Sequence, residues 1–120
     1  MVEIKKAAIM SFLLVFSSLA HPGDENGDYM GYGLVSCGKW VTYREEKNSD
    51  EEEYWIAGYI TAYNVLATRT YYLMGSTDSE SVYLWMDKYC RQNPLKDLAD
   101  GMAILTSELY PHRTVKNPDN

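Results

Sequence analysis

Residues 51–70 read EEEYWIAGYITAYNVLATRT, and the reading of this stretch decides the fold. Trp55, Tyr59, Ala62, Tyr63 and Leu66 recur at spacings of three and four, the period of one helix face. Glu51, Glu52 and Glu53 fall in the first turn, where the helix dipole favours negative charge, and Ser49 or Asp50 can cap it. The spacing therefore predicts a helix from about Glu51 to Thr70. Gly58 and Ala62 are small residues four apart on one face. A mid-helix glycine costs about 1 kcal/mol against alanine, and close approach of a neighbouring helix is the simplest compensation. Trp55, Gly58 and Tyr59 are thus expected to be packing positions. Asn64 stands on a mostly apolar stretch, as a buried hydrogen-bonding post or as part of a site.

The pattern continues outward on both sides. Upstream, Ser36 is a good N-cap for a helix carrying Cys37, Trp40, Val41 and Arg44. Residues 45–53 (EEKNSDEEE) form a charged connection. Downstream, YYLMGST (71–77) carries the chain round, with Gly75 as a turn residue. Thr77-Asp78-Ser79-Glu80 fits a capping box with Thr77 as the cap. The third helix then runs to about Arg91, with Val82, Trp85, Met86 and Tyr89 facing inward and Cys90 in its last turn. Asn93-Pro94 predicts the start of a fourth helix, in which Leu95, Leu98, Ala99, Met102, Leu105 and Leu109 follow a period near 3.6. Pro111 stops it. No strand pattern competes. The expected fold is all-α, a compact bundle of about four helices.

The first twenty residues have the form of a secretory signal. Lys5 and Lys6 precede the apolar run Ala7–Phe16, and Ser18-Leu19-Ala20 places small residues at the −3 and −1 positions of a cleavage site. The run is short of the ~20 apolar residues a membrane span needs. Cleavage after Ala20 leaves a Gly-rich leader (21–35), a helical domain (36–111) and a polar tail (112–120), with no membrane anchor. Removing Glu3, Lys5 and Lys6 takes the net charge from −6 to −7. Such a surface repels nucleic acid and suits basic partners. Both phenylalanines, Phe12 and Phe16, leave with the signal, so the mature aromatics are 11 Tyr and 3 Trp. Tyr29, Tyr32 and Leu34 of the leader are candidate docking points.

In an exported chain the pair Cys37 and Cys90 reads as a disulfide. It would join the start of the first helix to the end of the third. Two Cys and two His could total four zinc ligands, but the spacing is not that of a finger, and His21 and His112 fall in the tails. No metal and no cofactor are expected. No nucleophile–base arrangement and no phosphate loop occur. Asp87, Asp97 and Asp100 could pair for acid–base work, but surface aspartates on helices are far commoner, so no catalytic residues are expected.

Three segments, in order, carry a resemblance: Ser36-Cys37-Gly38-Lys39-Trp40, Trp55-Ile56-Ala57-Gly58-Tyr59-Ile60-Thr61-Ala62-Tyr63-Asn64, and Tyr89-Cys90-Arg91-Gln92-Asn93-Pro94-Leu95. Together they resemble small exported proteobacterial proteins of HdeA-like architecture, and are similar to the Rap1a/Tai-type immunity proteins. The resemblance covers most of residues 36–110, and its motifs mark a scaffold rather than an activity. It implies a periplasmic location and a disulfide joining distant helices. The first likeness implies an acid-stress chaperone holding unfolded clients. The second implies neutralisation of a toxin delivered into the periplasm. The overall expectation is a small periplasmic or secreted protein-binding domain without catalysis; a minor hydrolase is the remaining alternative. Candidate partner contacts are Glu51, Glu52, Glu53, Tyr71 and Tyr72, candidate packing residues are Trp40, Trp55, Gly58, Tyr59 and Trp85, and a homodimer is compatible with the chain.

Overall fold

The computed structural model describes residues 31–116. The expected signal peptide and the first part of the leader lie outside the described residues. Four α-helices occur among them: α1 (Cys37–Glu45), α2 (Asp50–Leu66), α3 (Ser79–Gln92) and α4 (Leu98–Leu109). Short 3-10 turns, Gly31–Leu34 and Tyr110–His112, flank them. The only extended pairings among the described residues are the isolated bridges Ser36 to Asp97 and Tyr72 to Thr114. The fold is all-α, as the helical periods require.

Local capping explains most helix ends. Ser36 caps α1 as expected, its Oγ accepting from the Lys39 N–H at 3.3 Å. Two other starts differ from expectation. The cap of α3 is Asp78 rather than Thr77; the Asp78 carboxylate accepts from the Ser81 N–H at 2.8 Å. The fourth helix begins at Leu98, not at Pro94. Asp97 and Asp100 form a reciprocal capping box there, each carboxylate accepting from the other's backbone N–H, which satisfies two otherwise orphaned donors. Asn93 instead turns back, its Nδ2–H donating to the Tyr89 carbonyl at 2.9 Å. Leu95 belongs to the connection and is 98 % exposed. Asp97 and Asp100, two of the three aspartates that could have paired, thus form a cap.

α2 also ends earlier than expected, at Leu66, with Ala67 extended. The chain then reverses, and the Asn64 Oδ1 accepts from the Leu73 N–H at 2.7 Å. Asn64 is thus the hydrogen-bonding post that ties the returning 71–74 segment to α2. Leu73 and Met74 enter the core beneath it.

The core joins Trp40 of α1, Ile56 and Ile60 of α2, Val82, Met86 and Tyr89 of α3, and Leu98, Met102, Leu105 and Leu109 of α4. The Cys37–Cys90 disulfide, joining residues 53 apart in sequence, lies inside it and fastens α1 to α3. Close helix approach occurs at Gly101, where an added Cβ would lie 2.6 Å from the Met86 sulfur. It does not occur at Gly58, where an added Cβ would meet nothing within 4 Å. The expected packing role of Gly58 within the bundle is therefore overturned. The reason is rotational: the buried side of α2 carries Glu52, Ile56 and Ile60, one residue on from the aromatic stripe, a turn of about 100°. Trp55, Tyr59 and Tyr63 pack against the core and are only partly buried.

Both flanking segments are docked as far as they are described. Gly33 lies directly against the Trp55 ring, with no room for a Cβ. The Val35 carbonyl accepts from the Leu98 N–H, and the Cys37 N–H donates to the Lys96 carbonyl. At the other end, Thr114 exchanges backbone hydrogen bonds with Tyr72, and Gly75, with φ +57°, accommodates the His112 carbonyl.

Candidate functional site: an acidic, tyrosine-lined cleft

The connection between α1 and α2 is held by a buried ionic lock. Asp87 of α3 is buried. It accepts from the Trp40 indole N–H at 2.9 Å and from the Arg44 Nε–H at 3.2 Å. The same guanidinium donates through Nη1 to Glu53 Oε1 at 2.8 Å, and the Ser49 hydroxyl donates to that oxygen at 2.7 Å. Arg44 also lies over the rings of Trp40 and Tyr83, 5.5 and 5.6 Å from their centroids. Burial works against the Arg44 charge, yet the hydrogen bonds and charges of Asp87 and Glu53 outweigh it and raise its pKa. One arginine thus joins α1, α3 and the first turn of α2, and the loop between α1 and α2 has little freedom. Lys47 completes that loop in the left-handed region, φ 55°.

The fixed loop and the docked 3-10 turn enclose a cleft of about 740 Å³. Tyr32 and Val35 come from the N-terminal side, Tyr43 from α1, Asn48 from the loop, and Asp50, Glu51 and Glu52 from the start of α2. Glu51 lies beside the Tyr32 hydroxyl; its hydrogen bonding and negative charge raise the Tyr32 pKa. Glu52 is 4 % exposed, and none of Asp50, Glu51 and Glu52 forms an ion pair among the described residues. Three carboxylates thus share one cleft with two tyrosines, which gives it a negative potential. It suits an ammonium or guanidinium group with aromatic walls beside it. Among the described residues no group of three or more His, Cys, Asp or Glu side chains could hold a metal ion.

The five expected contacts do not form one surface. Glu51 and Glu52 line the cleft. Glu53 faces the other way into the Arg44 lock and is structural. Tyr71 and Tyr72 lie at the opposite end of α2, both exposed, with their backbones paired to Thr114. Asn48 and Asp50 belong to the acidic segment 45–53 that the sequence offers as a contact surface, whereas nothing in the sequence singles out Tyr43. Tyr32, a candidate docking point of the leader, is brought to the acids by the 3-10 turn. Trp85, half-buried, stacks on Tyr89 at 5.4 Å and donates from Nε1 to Glu108 Oε2 at 2.9 Å, which accounts for it as a packing residue.

A second concave feature runs along α2. Trp55, Gly58, Tyr59, Ala62, Tyr63 and Leu66 line an open, apolar groove of about 580 Å³. No helix among the described residues is long and apolar enough to cross a membrane. No protein-family model, no curated protein and no solved structure matches the chain.

Proposed function

We propose that the protein is an exported, periplasmic binding domain, without catalysis, that receives a basic segment of a partner protein in the cleft at the start of α2. The observation that carries this reading is the gathering of Asp50, Glu51 and Glu52 beside Tyr32 and Tyr43 in one cleft, with no ion pair to any of the three acids among the described residues. A lysine or arginine side chain would supply the opposite charge, and tyrosines are favoured at interface hot spots. The disulfide is compatible with an oxidising compartment, and the residues 1–20 pattern supports export.

The test is crosslinking in living cells through a photoreactive residue in place of Tyr32. A single basic protein should be captured from the cell envelope, and Glu51→Lys or Glu52→Gln should abolish its capture while the fold survives. No specific crosslink, or one indifferent to both substitutions, would refute the reading. Neutralisation of a delivered toxin is the role that best fits a fixed acidic cleft. Deleting the gene should then sensitise cells to attack by siblings. The acid-chaperone role is favoured by a different observation, the exposed apolar face of α2. It requires suppression of client aggregation at about pH 2–3, with gain of dye-accessible apolar surface.

A further inference from the structure

The far end of α2 differs from its start in charge. The sequence carries no Asp or Glu from Tyr54 to Thr77 or from Leu109 to Pro118, and these two stretches meet. The Thr114 carbonyl accepts from the Tyr71 and Tyr72 N–H groups, and the Thr114 N–H donates back to the Tyr72 carbonyl. Arg69 stands in the turn that leads into this pairing, with φ 57°, and Arg113 and Lys116 lie on either side of Thr114 in the chain. The Arg113 guanidinium lies over the Tyr110 ring, 3.6 Å from its centroid, and its Nη1 donates to the Tyr110 carbonyl at 2.7 Å. Its buried Nε has no acceptor among the described residues, and none of the three cations forms an ion pair there. The carboxylates that bound these stretches in sequence are committed elsewhere: Asp78 caps α3, and Glu108 accepts from the Trp85 indole N–H. Asp119 lies outside the described residues. Apolar and tyrosine side chains on the same segments are open to water. Val65, Leu66 and Val115 are 78, 81 and 50 % exposed, and Tyr71, Tyr72 and Tyr110 are exposed as well.

We infer that this end of the bundle, where α2 closes and Tyr71 and Tyr72 pair with Thr114, docks on an anionic phospholipid bilayer. Charge selects the sign of the partner, because Arg69, Arg113 and Lys116 stand together on segments without an acid. The acids of Asp50–Glu52 are at the other end of α2, about 25 Å away along 17 helical residues. That is about three Debye lengths at physiological salt, so they do not cancel the local attraction. The mixture of side chains selects a bilayer over an acidic protein. Tyrosine rings settle at the headgroup level, aliphatic tips enter the acyl boundary, and the cations stay with the phosphates, so each exposed group has a depth that suits it. An acidic protein would pair with the cations, but its carboxylates offer nothing to Val65, Leu66 and Val115. A fluid surface accepts separate apolar tips without a complementary shape, which a protein interface requires. Few side chains insert, so the docking is weak and reversible. The surface stands apart from the cleft, and neither depends on the other.

The experiment is co-sedimentation of the disulfide-linked chain beginning at His21 with lipid vesicles. The chain should partition onto vesicles of mixed phosphatidylcholine and phosphatidylglycerol at low salt, and hardly at all onto pure phosphatidylcholine. High salt should release it. Arg69→Ala with Lys116→Ala should weaken partitioning about 25-fold, at roughly fivefold for each cation near an anionic surface. Both positions are exposed, so helix content and thermal midpoint should not change. Val65→Asp should also weaken partitioning with the fold intact, because it places a carboxylate where an apolar tip inserts. Failure to partition onto the anionic vesicles at low salt would overturn the inference, as would partitioning indifferent to the loss of both cations. Polyglutamate bound as tightly as the vesicles, with vesicle binding indifferent to Val65→Asp, would give the surface to an acidic protein and overturn it too.

Discussion

Replacing Asp87 tests the structural premise of the cleft, because that one carboxylate holds its wall. Asp87 is 7 % exposed and accepts from two donors, the Trp40 indole N–H, which has no other acceptor, and the Arg44 guanidinium, which it shares with Glu53. In Asp87→Ala both remain. The indole N–H is left buried without a partner, and Arg44 keeps only Glu53. Breaking a buried pair from one side typically costs about 3–5 kcal/mol, mostly from the charge left behind. Arg44 is about a fifth exposed, which allows water to relieve part of this and points to the lower end, ~3 kcal/mol. Asp87→Asn retains an acceptor for the indole and loses only the charge, so about half that loss is expected, ~1.5 kcal/mol, the scale of one charged hydrogen bond. Urea unfolding followed by tryptophan fluorescence, with the disulfide intact, measures both. The order wild type, Asn, Ala should hold with unchanged m-values. Equal and small losses in the two variants, under about 1 kcal/mol, would mean that the ionic lock carries little of the fold, and the account of why the α1–α2 loop is fixed would fail with it.

Three further outcomes follow from the geometry. Cys37→Ala with Cys90→Ala should cost roughly 4 kcal/mol in the chain-entropy model, since the bridge closes residues 53 apart; chemical denaturation of the oxidised and variant chains reads it. Asp78→Ala should lower the thermal midpoint by removing the α3 cap. Hydrogen bonds from Ser81 hold the Asp78 pKa below its usual value, so its stabilisation is present above the unfolded carboxylate pKa and is lost as pH falls through the folded one. The variant should accordingly show a shallower acid-side loss of stability. Lys47→Gly should raise stability by about 1 kcal/mol, since lysine there bears the left-handed backbone penalty, and should leave partner capture through Tyr32 unchanged.

The sequence was most legible where one local signal had no competitor. Ser36 capped α1, the Leu98–Met102–Leu105–Leu109 period marked the buried side of α4, and a single pair of cysteines gave one bridge. It misled where two local signals competed. Asn93-Pro94 and Asp97-Ala99-Asp100 both announce a helix start, and the reciprocal box won because it satisfies two donors, while Asn93 found the Tyr89 carbonyl. The lock was illegible for a different reason. Arg44 and Asp87 lie on helices that only the tertiary fold brings together, so no spacing rule pairs them. The same fact hid the division of the glutamates: Glu53 looks like its neighbours until Arg44 is placed, and then it turns inward while Glu51 and Glu52 remain at the cleft.

The face of α2 shows how far periodicity reaches. Trp55, Tyr59, Tyr63 and Leu66 form as good a helical stripe as Ile56 and Ile60, because the helix is apolar on nearly every side and no single direction stands out. The bundle buried the isoleucines, whose shape fits between Trp40, Leu73 and Val82, and left the larger aromatic stripe at the rim. An interior helix in a chain too small to surround it needs cover from elsewhere. The uncompensated Gly58 marks where that cover can come closest.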